Sequence, residues 1–593
     1  MKILLVTPPL TQLNTPYPAT CHLLGFLRLN GIEAEQMDLS IELIEALFTK
    51  SKLEGIFQIA AEKKLSKQNK IMLGQSDFYI RTIDSVMHFL SGRDSSLAQR
   101  FSNCDFWPQT KRFPSDDDLE WGFGMMGTHD RATHLCTIFL KDICDFIKET
   151  IDPHFELIRY AESLCLRLPE FEPLQQALQQ PNSLIDTIML RLLSKKINET
   201  NPDFVAFTIP FPGNLLSALR CGQWLKKNHP NIKIGIGGGY VNTELRSLTD
   251  PKIFDYTDYI TYDDGELPLL RLLTGGEFIR TLYRNTDGEI ERVNFKSTKN
   301  IPFSEIGTPN YDGLLKNNYL NFLELTNPMH ALWSNGKWNK MILAHGCYWA
   351  GCTFCDVSLD YIARYEPASI ELIVDRMEEL MQQTGQSGFH FVDEAAPPQL
   401  LRKLAEEILK RKLTVSYWTN ARFEKGFTPE LCFLMAQSGC IAISGGLEVA
   451  SPRILKLINK GLTIEVAGEV MKNLTDVGIM THAYLMYGFP TETAQETIDS
   501  LEVVRGFFEQ GYIQSAFWHR YAMTLHSPSG MKPESVGATL IDEPMGTFAN
   551  NEIAFTTPNE IDLDYYGKGL NLAIYNYMQG VGYDVPVREW FKR

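Results

Sequence analysis

Short apolar runs alternate with amphipathic segments of helical period in two separate parts of the chain. Ile3-Leu4-Leu5-Val6 predicts a strand that ends at Thr7-Pro8-Pro9. A helix follows through Cys21–Arg28 and stops at Asn30-Gly31, and Ile32–Met37 is the next strand. From about 41 to 200 the pattern is helical with few strands, as in 153–167 and 174–197, which predicts an inserted helical region. The sheet resumes with the strand Asp203–Ile209, the helix Leu215–Asn228 and the strand Lys233–Gly237. That strand runs into Gly238-Gly239, which opens no clear helix. A strand at Tyr256–Tyr262 closes with Asp263-Asp264-Gly265-Glu266 at the head of another helix. Strands alternating with helices predict an α/β fold with a doubly wound, Rossmann-like parallel sheet that binds ligands at the carboxyl ends of its strands.

Residues 281–340 carry Pro302, Pro309 and Pro328 and no sustained period, so they read as a connector. A second alternation then begins, with strands at 341–345, 388–393, 413–419, 440–446, 480–487 and 513–521. Helices fall between them near 368–384, 398–411, 428–438, 463–477 and 493–509. Six such units make a partial (β/α)6 barrel of the TIM type, whose active site lies where the strands end. Asp393-Glu394, Asn420 with Arg422, and Glu448 fall at those ends. The expected division is 1–280, 281–340, 341–525 and a small α-rich region at 526–593.

Charge narrows the partners. A net charge of −16 argues against nucleic acid or an anionic membrane, and no apolar run approaches a membrane span. Eleven cysteines in a long chain without a signal-type leader point to a reducing, cytoplasmic setting. Three of them, Cys347, Cys352 and Cys355, lie within nine residues in the loop after the first barrel strand. Cysteines this close aim their sulfurs at one centre, as iron–sulfur and zinc sites require. Three thiolates on a four-iron cluster would leave one iron open to a small molecule. A zinc site with His345 as fourth ligand and a redox pair of Cys352 with Cys355 are the other readings.

The loop, with Phe354 before its last cysteine, resembles the cluster loop of the radical S-adenosylmethionine (SAM) enzymes, although the first gap is four residues where the family usually has three. Gly445-Gly-Leu-Glu448-Val-Ala-Ser451, Leu455 to Lys460-Gly461, and Tyr487-Gly-Phe-Pro-Thr-Glu492 match further family strings in order. The resemblance implies a [4Fe–4S] cluster on Cys347, Cys352 and Cys355 that chelates SAM and cleaves it reductively. It places Asp393 and Glu394 at the SAM amino group and Glu448 at the ribose, with Asn420 at the same mouth. Arg422 and Lys460 would meet the carboxylate, and Gly488 would lie in the turn near the adenine.

Residues 1–40 and 200–275 resemble the cobalamin-binding domain that precedes many of these enzymes, with Pro-Pro after the first strand and Gly-Gly after a later one. Thr208, Gly237, Gly238 and Gly239 would then line the cofactor. The Asp-x-His-x-x-Gly motif that supplies an axial histidine is absent. Together the resemblances imply a cobalamin-dependent radical SAM enzyme that methylates an unactivated carbon of a small-molecule substrate. An external electron donor such as flavodoxin or ferredoxin would supply it. A cyclase or rearrangement enzyme and a non-catalytic cobalamin- or SAM-binding regulator are the alternatives.

Overall fold

The computed structural model describes residues 1–593 except 109–112, 114–118, 120–121, 124–126, 159–160, 543, 559–560 and 593. Five parallel strands form the first sheet: β1 (Lys2–Thr7), β2 (Glu33–Asp38), β3 (Phe204–Thr208), β4 (Lys233–Gly237) and β5 (Tyr259–Thr261). The order is β2-β1-β3-β4-β5, as a doubly wound sheet requires. Strand β1 shows why its run is continuously apolar: Ile3 and Leu5 enter one core cluster, Leu4 and Val6 the other, so both faces are covered.

Two strands that were not anticipated, within the expected connector, belong to this sheet. β6 (Thr281–Arg284) and β7 (Ile290–Val293) add antiparallel to β5, so the sheet extends past the expected boundary at 280. Their burial patterns are mixed, as suits an edge that needs only one apolar face, and this hid them from periodicity. The glycine run also differs from expectation, since Gly239–Glu244 is a short helix directly after β4. Gly238 has φ 111°, and a Cβ there would lie 2.8 Å from the backbone of Ile209, so only glycine makes this turn. The inserted region is helical, as expected, but among the described residues of 153–167 the helix is the short Glu162–Cys165. The 174–197 stretch divides into Glu172–Gln179 and Leu184–Thr200, and the long helix Thr128–Thr150 was not anticipated.

The second sheet is six-stranded and parallel. In chain order it contains β8 (Asn339–Met341), β11 (Gly388–Phe391), β12 (Ser416–Ala421), β13 (Cys440–Glu448), β14 (Met480–Tyr487) and β15 (Ser515–Arg520). The two-residue strands β9 (Ala344–His345) and β10 (Glu366–Pro367) pair antiparallel beside it. The first barrel strand therefore stops at Met341 and the chain bends before the cysteines. Strand β13 continues to Glu448 through a bulge after Gly446, two residues further than its apolar pattern suggests. A helix within the expected connector, Pro328–Asn335, contributes Met329 to a small cluster with Trp338, Trp418 and Ala442. The C-terminal region combines the hairpin β16 (Thr539–Leu540) and β17 (Phe555–Thr556) with the helix Leu563–Met578, which packs on β15. Among the described residues no helix is long and apolar enough to cross a membrane.

Glu492 closes the turn after β14. Its carboxylate accepts from Gly488 N at 2.8 Å and Phe489 N at 3.1 Å, and it is 1% exposed. Burial raises its pKa to about 7 against the pull of those bonds. The folded value lies above the unfolded one, so this contribution is complete below the ordinary carboxylate range and is lost as pH rises through about 7. Glu492→Gln, a mimic of the neutral acid, should therefore lessen the fall in unfolding free energy between pH 5 and pH 8, by up to about 3 kcal/mol. Chemical denaturation of both proteins at the two pH values measures this.

Candidate functional site

The cysteine loop is held at both ends by backbone bonds. After β8, the carboxylate of Asp393 accepts from Leu343 N at 3.0 Å and from Ala344 N at 3.0 Å. Gly346 has φ 72°, and a Cβ there would collide with Arg364 O, so the chain turns tightly at glycine before Cys347 N donates to Ile362 O at 3.0 Å. Farther on, Trp349 Nε1 donates to Asn459 O at 3.1 Å, Asn459 Nδ2 returns to Gly351 O at 2.7 Å, and Thr353 N donates to Ile458 O at 3.0 Å. The loop is thereby tied to the turn that carries Lys460.

All three cysteines line one cavity of about 300 Å³, with Phe354, Glu394, Asn420, Arg422, Glu448 and Lys460 on its walls. No disulfide joins any of the eleven cysteines. A hydrogen bond from the Cys355 thiol, with Lys460 and Arg422 nearby, holds Cys352 down to about 6, while the same bond and burial push Cys355 up. Lys460 Nζ pairs with Glu448 Oε1 at 2.7 Å and lies over the Phe354 ring. Burial works against that ammonium, but Glu448 and Cys352 together keep its pKa above the ordinary value. Arg422 packs its guanidinium on Trp349, 4.2 Å from the ring centre, and donates to Lys460 O. Glu448 adopts φ 65° at the bulge of β13, a conformation that L residues seldom take and that active sites often hold. Glu394 is open to solvent at the mouth, and the protein walls around it raise its pKa.

Two expected residues, Asp393 and Gly488, lie elsewhere, and so does His345, the fourth ligand of the alternative zinc reading. Asp393 is 2% exposed and spends its carboxylate on the backbone before the cysteines, outside the cavity lining. Gly488, also outside that lining, sits under Leu563 of the C-terminal helix, which a Cβ would meet at 2.8 Å. His345 turns from the thiols: its Nδ1 meets Arg364 O at 2.8 Å and its Nε2 meets Asp264 Oδ1 at 2.9 Å, across the contact with the first sheet. Arg364 also pairs with Asp264 and Asp360, which fills the space between these carboxylates with a cation rather than leaving it for a metal.

Thr208, Gly237 and Gly238 line a second cavity of about 230 Å³ at the carboxyl ends of β3, β4 and β5. Gly239 is not part of that wall and packs against Pro210 O instead. A third cavity, about 210 Å³, shares Ala19, His22, Asp264 and Glu266 with it and reaches Ile342 and Val392 of the barrel. His22 was not legible as a site residue, because it sits in an ordinary amphipathic helix. Burial and Arg376 push its pKa down to about 4, so it is neutral. Trp349 was missed for a similar reason, since an aromatic residue in a cysteine loop carries no signal of what it will touch.

Residues 341–504 match the model of the radical SAM superfamily. The chain carries a radical SAM domain. An uncharacterized methyltransferase of Pyrococcus horikoshii is 24% identical over 325 residues, 53% of this chain and 66% of that protein. An anaerobic magnesium-protoporphyrin IX monomethyl ester cyclase of Rubrivivax gelatinosus is 27% identical over 332 residues, 52% of this chain and 55% of that one. The chain thus spans between about half and two thirds of the length of these curated relatives. Among solved structures, the radical SAM methyltransferase TsrM of Kitasatospora setae aligns over 97% of this chain and 89% of its own, with 14% identity and a TM-score of 0.49. A [4Fe–4S] cluster and SAM are the cofactors of a radical SAM domain, and the cavity has the donors for both. Three thiols converge there, two of them hydrogen-bonded to each other, and the buried Oδ1 of Asn420 on the same wall has no partner.

Proposed function

We propose that this chain is a cobalamin-dependent radical SAM enzyme that methylates an unactivated carbon of a small-molecule substrate. The observation that carries the reading is the pair of cavities: three thiols with carboxylates and cations in the barrel mouth, and a glycine-walled cavity at the carboxyl ends of the first sheet. When bound, the cluster and SAM supply one-electron chemistry able to remove hydrogen from carbon, and cobalamin supplies a transferable methyl group. Cys347, Cys352 and Cys355 hold the iron. Glu394 and Glu448 offer acceptors to the ammonium and ribose hydroxyls of SAM, while Arg422 and Lys460 offer donors to its carboxylate. Asp393 positions the cysteine loop through the backbone.

Thr208, Gly237 and Gly238 would hold the cobalamin, since their lack of bulk leaves that cavity open beside the barrel. Gly237→Val should cut cobalamin retained after gel filtration at least tenfold while iron content stays unchanged. The variant's side chain would enter the cavity, and Thr261 Oγ1 already lies 3.0 Å from a Cβ at that position. Unchanged retention would remove the cofactor from this cavity.

The names of the relatives support methyl transfer in one case and ring closure in the other. Incubating the reduced enzyme with methyl-deuterated SAM and candidate substrates distinguishes them. Deuterated methyl in the product supports the methyltransferase reading, whereas 5′-deoxyadenosine without methyl transfer supports the cyclase. Absence of both overturns the enzymatic reading.

A further inference from the structure

The loop that carries the three cysteines leaves the barrel and returns to it through a narrow neck. Ala344 and His345 of β9 pair with Pro367 and Glu366 of β10, and the stretch from Gly346 to Tyr365 lies beyond that pairing. His345 Nδ1 donates to Arg364 O at 2.8 Å, which ties the outgoing strand to the returning one, and its Nε2 meets Asp264 Oδ1 at 2.9 Å. The Arg364 guanidinium donates to the other oxygen, Asp264 Oδ2. One carboxylate from the first sheet therefore spans both sides of the neck. Cys347 follows within two residues of His345, and its own N–H donates to Ile362 O just before Arg364.

Asp264 also belongs to the wall of the glycine-lined cavity. It lies between β5 and the helix Glu266–Thr274, and Asp263, Asp264, Gly265 and Glu266 all line that space. The first of these is fixed from elsewhere: Asp263 has φ 59°, pairs with Arg246 and Arg280, and its N–H donates to Asn242 Oδ1 at 2.6 Å. The wall's remaining freedom lies at Asp264 and Gly265, and the bonds to His345 and Arg364 remove it. A cluster on the three thiols would fix the loop on one side of the neck, and cobalamin in the glycine-lined cavity would fix Asp264 on the other. Each event orders the segment that the other needs ordered, so each lowers the entropic cost of the other.

We propose that Asp264 is a positioning residue that couples the two cofactor sites, so that an occupied thiol cavity prepares the glycine-lined cavity for cobalamin and the reverse. The proposal rests on the reading of the chain as a cobalamin-dependent radical SAM enzyme and adds a dependence between its two sites.

Equilibrium dialysis of hydroxocobalamin against the full chain, with the cluster reconstituted and without it, measures the coupling as a ratio of two dissociation constants. The unaltered protein should bind hydroxocobalamin about tenfold more tightly with the cluster present, within the usual range for coupled sites. Asp264→Ala and His345→Ala cut the bridge from opposite sides, and each should bring the ratio near one. The double variant should do no more than either single one, because all three lack the same bridge. Asn14→Ala is the control. It removes a different bond between the two halves, from Asn14 Nδ2 to Trp333 O at 2.8 Å, and should leave the ratio at about ten, the value set by the coupling. A general loosening of the packing lowers both affinities together and leaves the ratio unchanged, so the ratio separates positioning from stability. Thermal unfolding identifies a variant that fails to fold, and the other single variant then decides. A ratio near one in the unaltered protein overturns the proposal, as does a tenfold ratio that survives in a folded Asp264→Ala or His345→Ala, or one that disappears in Asn14→Ala. SAM cleavage and iron content are measured on the same samples. Hydroxocobalamin binding and SAM cleavage without coupling count against the role of Asp264 alone, whereas no binding by either form counts against the cobalamin reading and the proposal with it.

Discussion

Anaerobic reconstitution of the full chain should give about four irons per polypeptide, and Cys347→Ala, Cys352→Ala or Cys355→Ala should each abolish the cluster absorbance and SAM cleavage together. The expectation follows from three thiols on one cavity wall, with Cys352 held toward its thiolate by the neighbouring Cys355 thiol, Lys460 and Arg422. His345→Ala should leave iron content and absorbance essentially unchanged. Both of its ring nitrogens are engaged, by Arg364 O and Asp264, and it lines the cavity between the two sheets rather than the thiol cavity. Its loss should register instead as a lower unfolding temperature, because a contact across the two halves is removed. A stoichiometric zinc that disappears with His345 would overturn the assignment.

Glu394→Gln should weaken SAM binding about tenfold to a hundredfold while iron content stays normal, the range for losing a hydrogen bond to a charged group. Glu394 qualifies because it is the member of the Asp393-Glu394 pair whose side chain lines the cavity. Asp393→Ala should act differently. It removes the acceptor for Leu343 N and Ala344 N, so the loop that presents the cysteines loses its anchor and iron incorporation falls with SAM binding. Titrating SAM against the electron paramagnetic resonance signal of the reduced cluster, alongside iron analysis, separates the two. Normal SAM affinity in Glu394→Gln would place the ammonium elsewhere on the wall. Normal iron in Asp393→Ala would show that the loop holds itself.

Much of the architecture was legible because burial imposes a period. Strands covered on both faces, such as β1 and β3, read as unbroken apolar runs, and the helices Leu215–Asn228 and Pro398–Arg411 were placed to the residue. The short antiparallel strands β6 and β7 at the end of the sheet escaped because four residues with mixed exposure give too few apolar positions to count. The site divided along the same line. That Cys347, Cys352 and Cys355 would share one cavity was legible from their spacing, since nine residues of one loop keep them near each other. Of the adjacent acids Asp393 and Glu394, only the structure told which faces the cavity. One residue along an extended chain reverses the direction of a side chain, and the backbone amides of Leu343 and Ala344 claimed the first.

What the sequence determined by itself was local chemistry: the hydrophobic period of each element, the turns that only glycine or proline makes, and three thiols within reach of one centre. The tertiary structure alone decided which distant groups meet. It set Trp349 on Arg422, turned His345 to Asp264 of the other sheet, and gathered His22 and Thr208 at one cavity. Those meetings depend on strand register and on how the two sheets pack. Both are set by the sum of many weak apolar contacts rather than by any short string of residues.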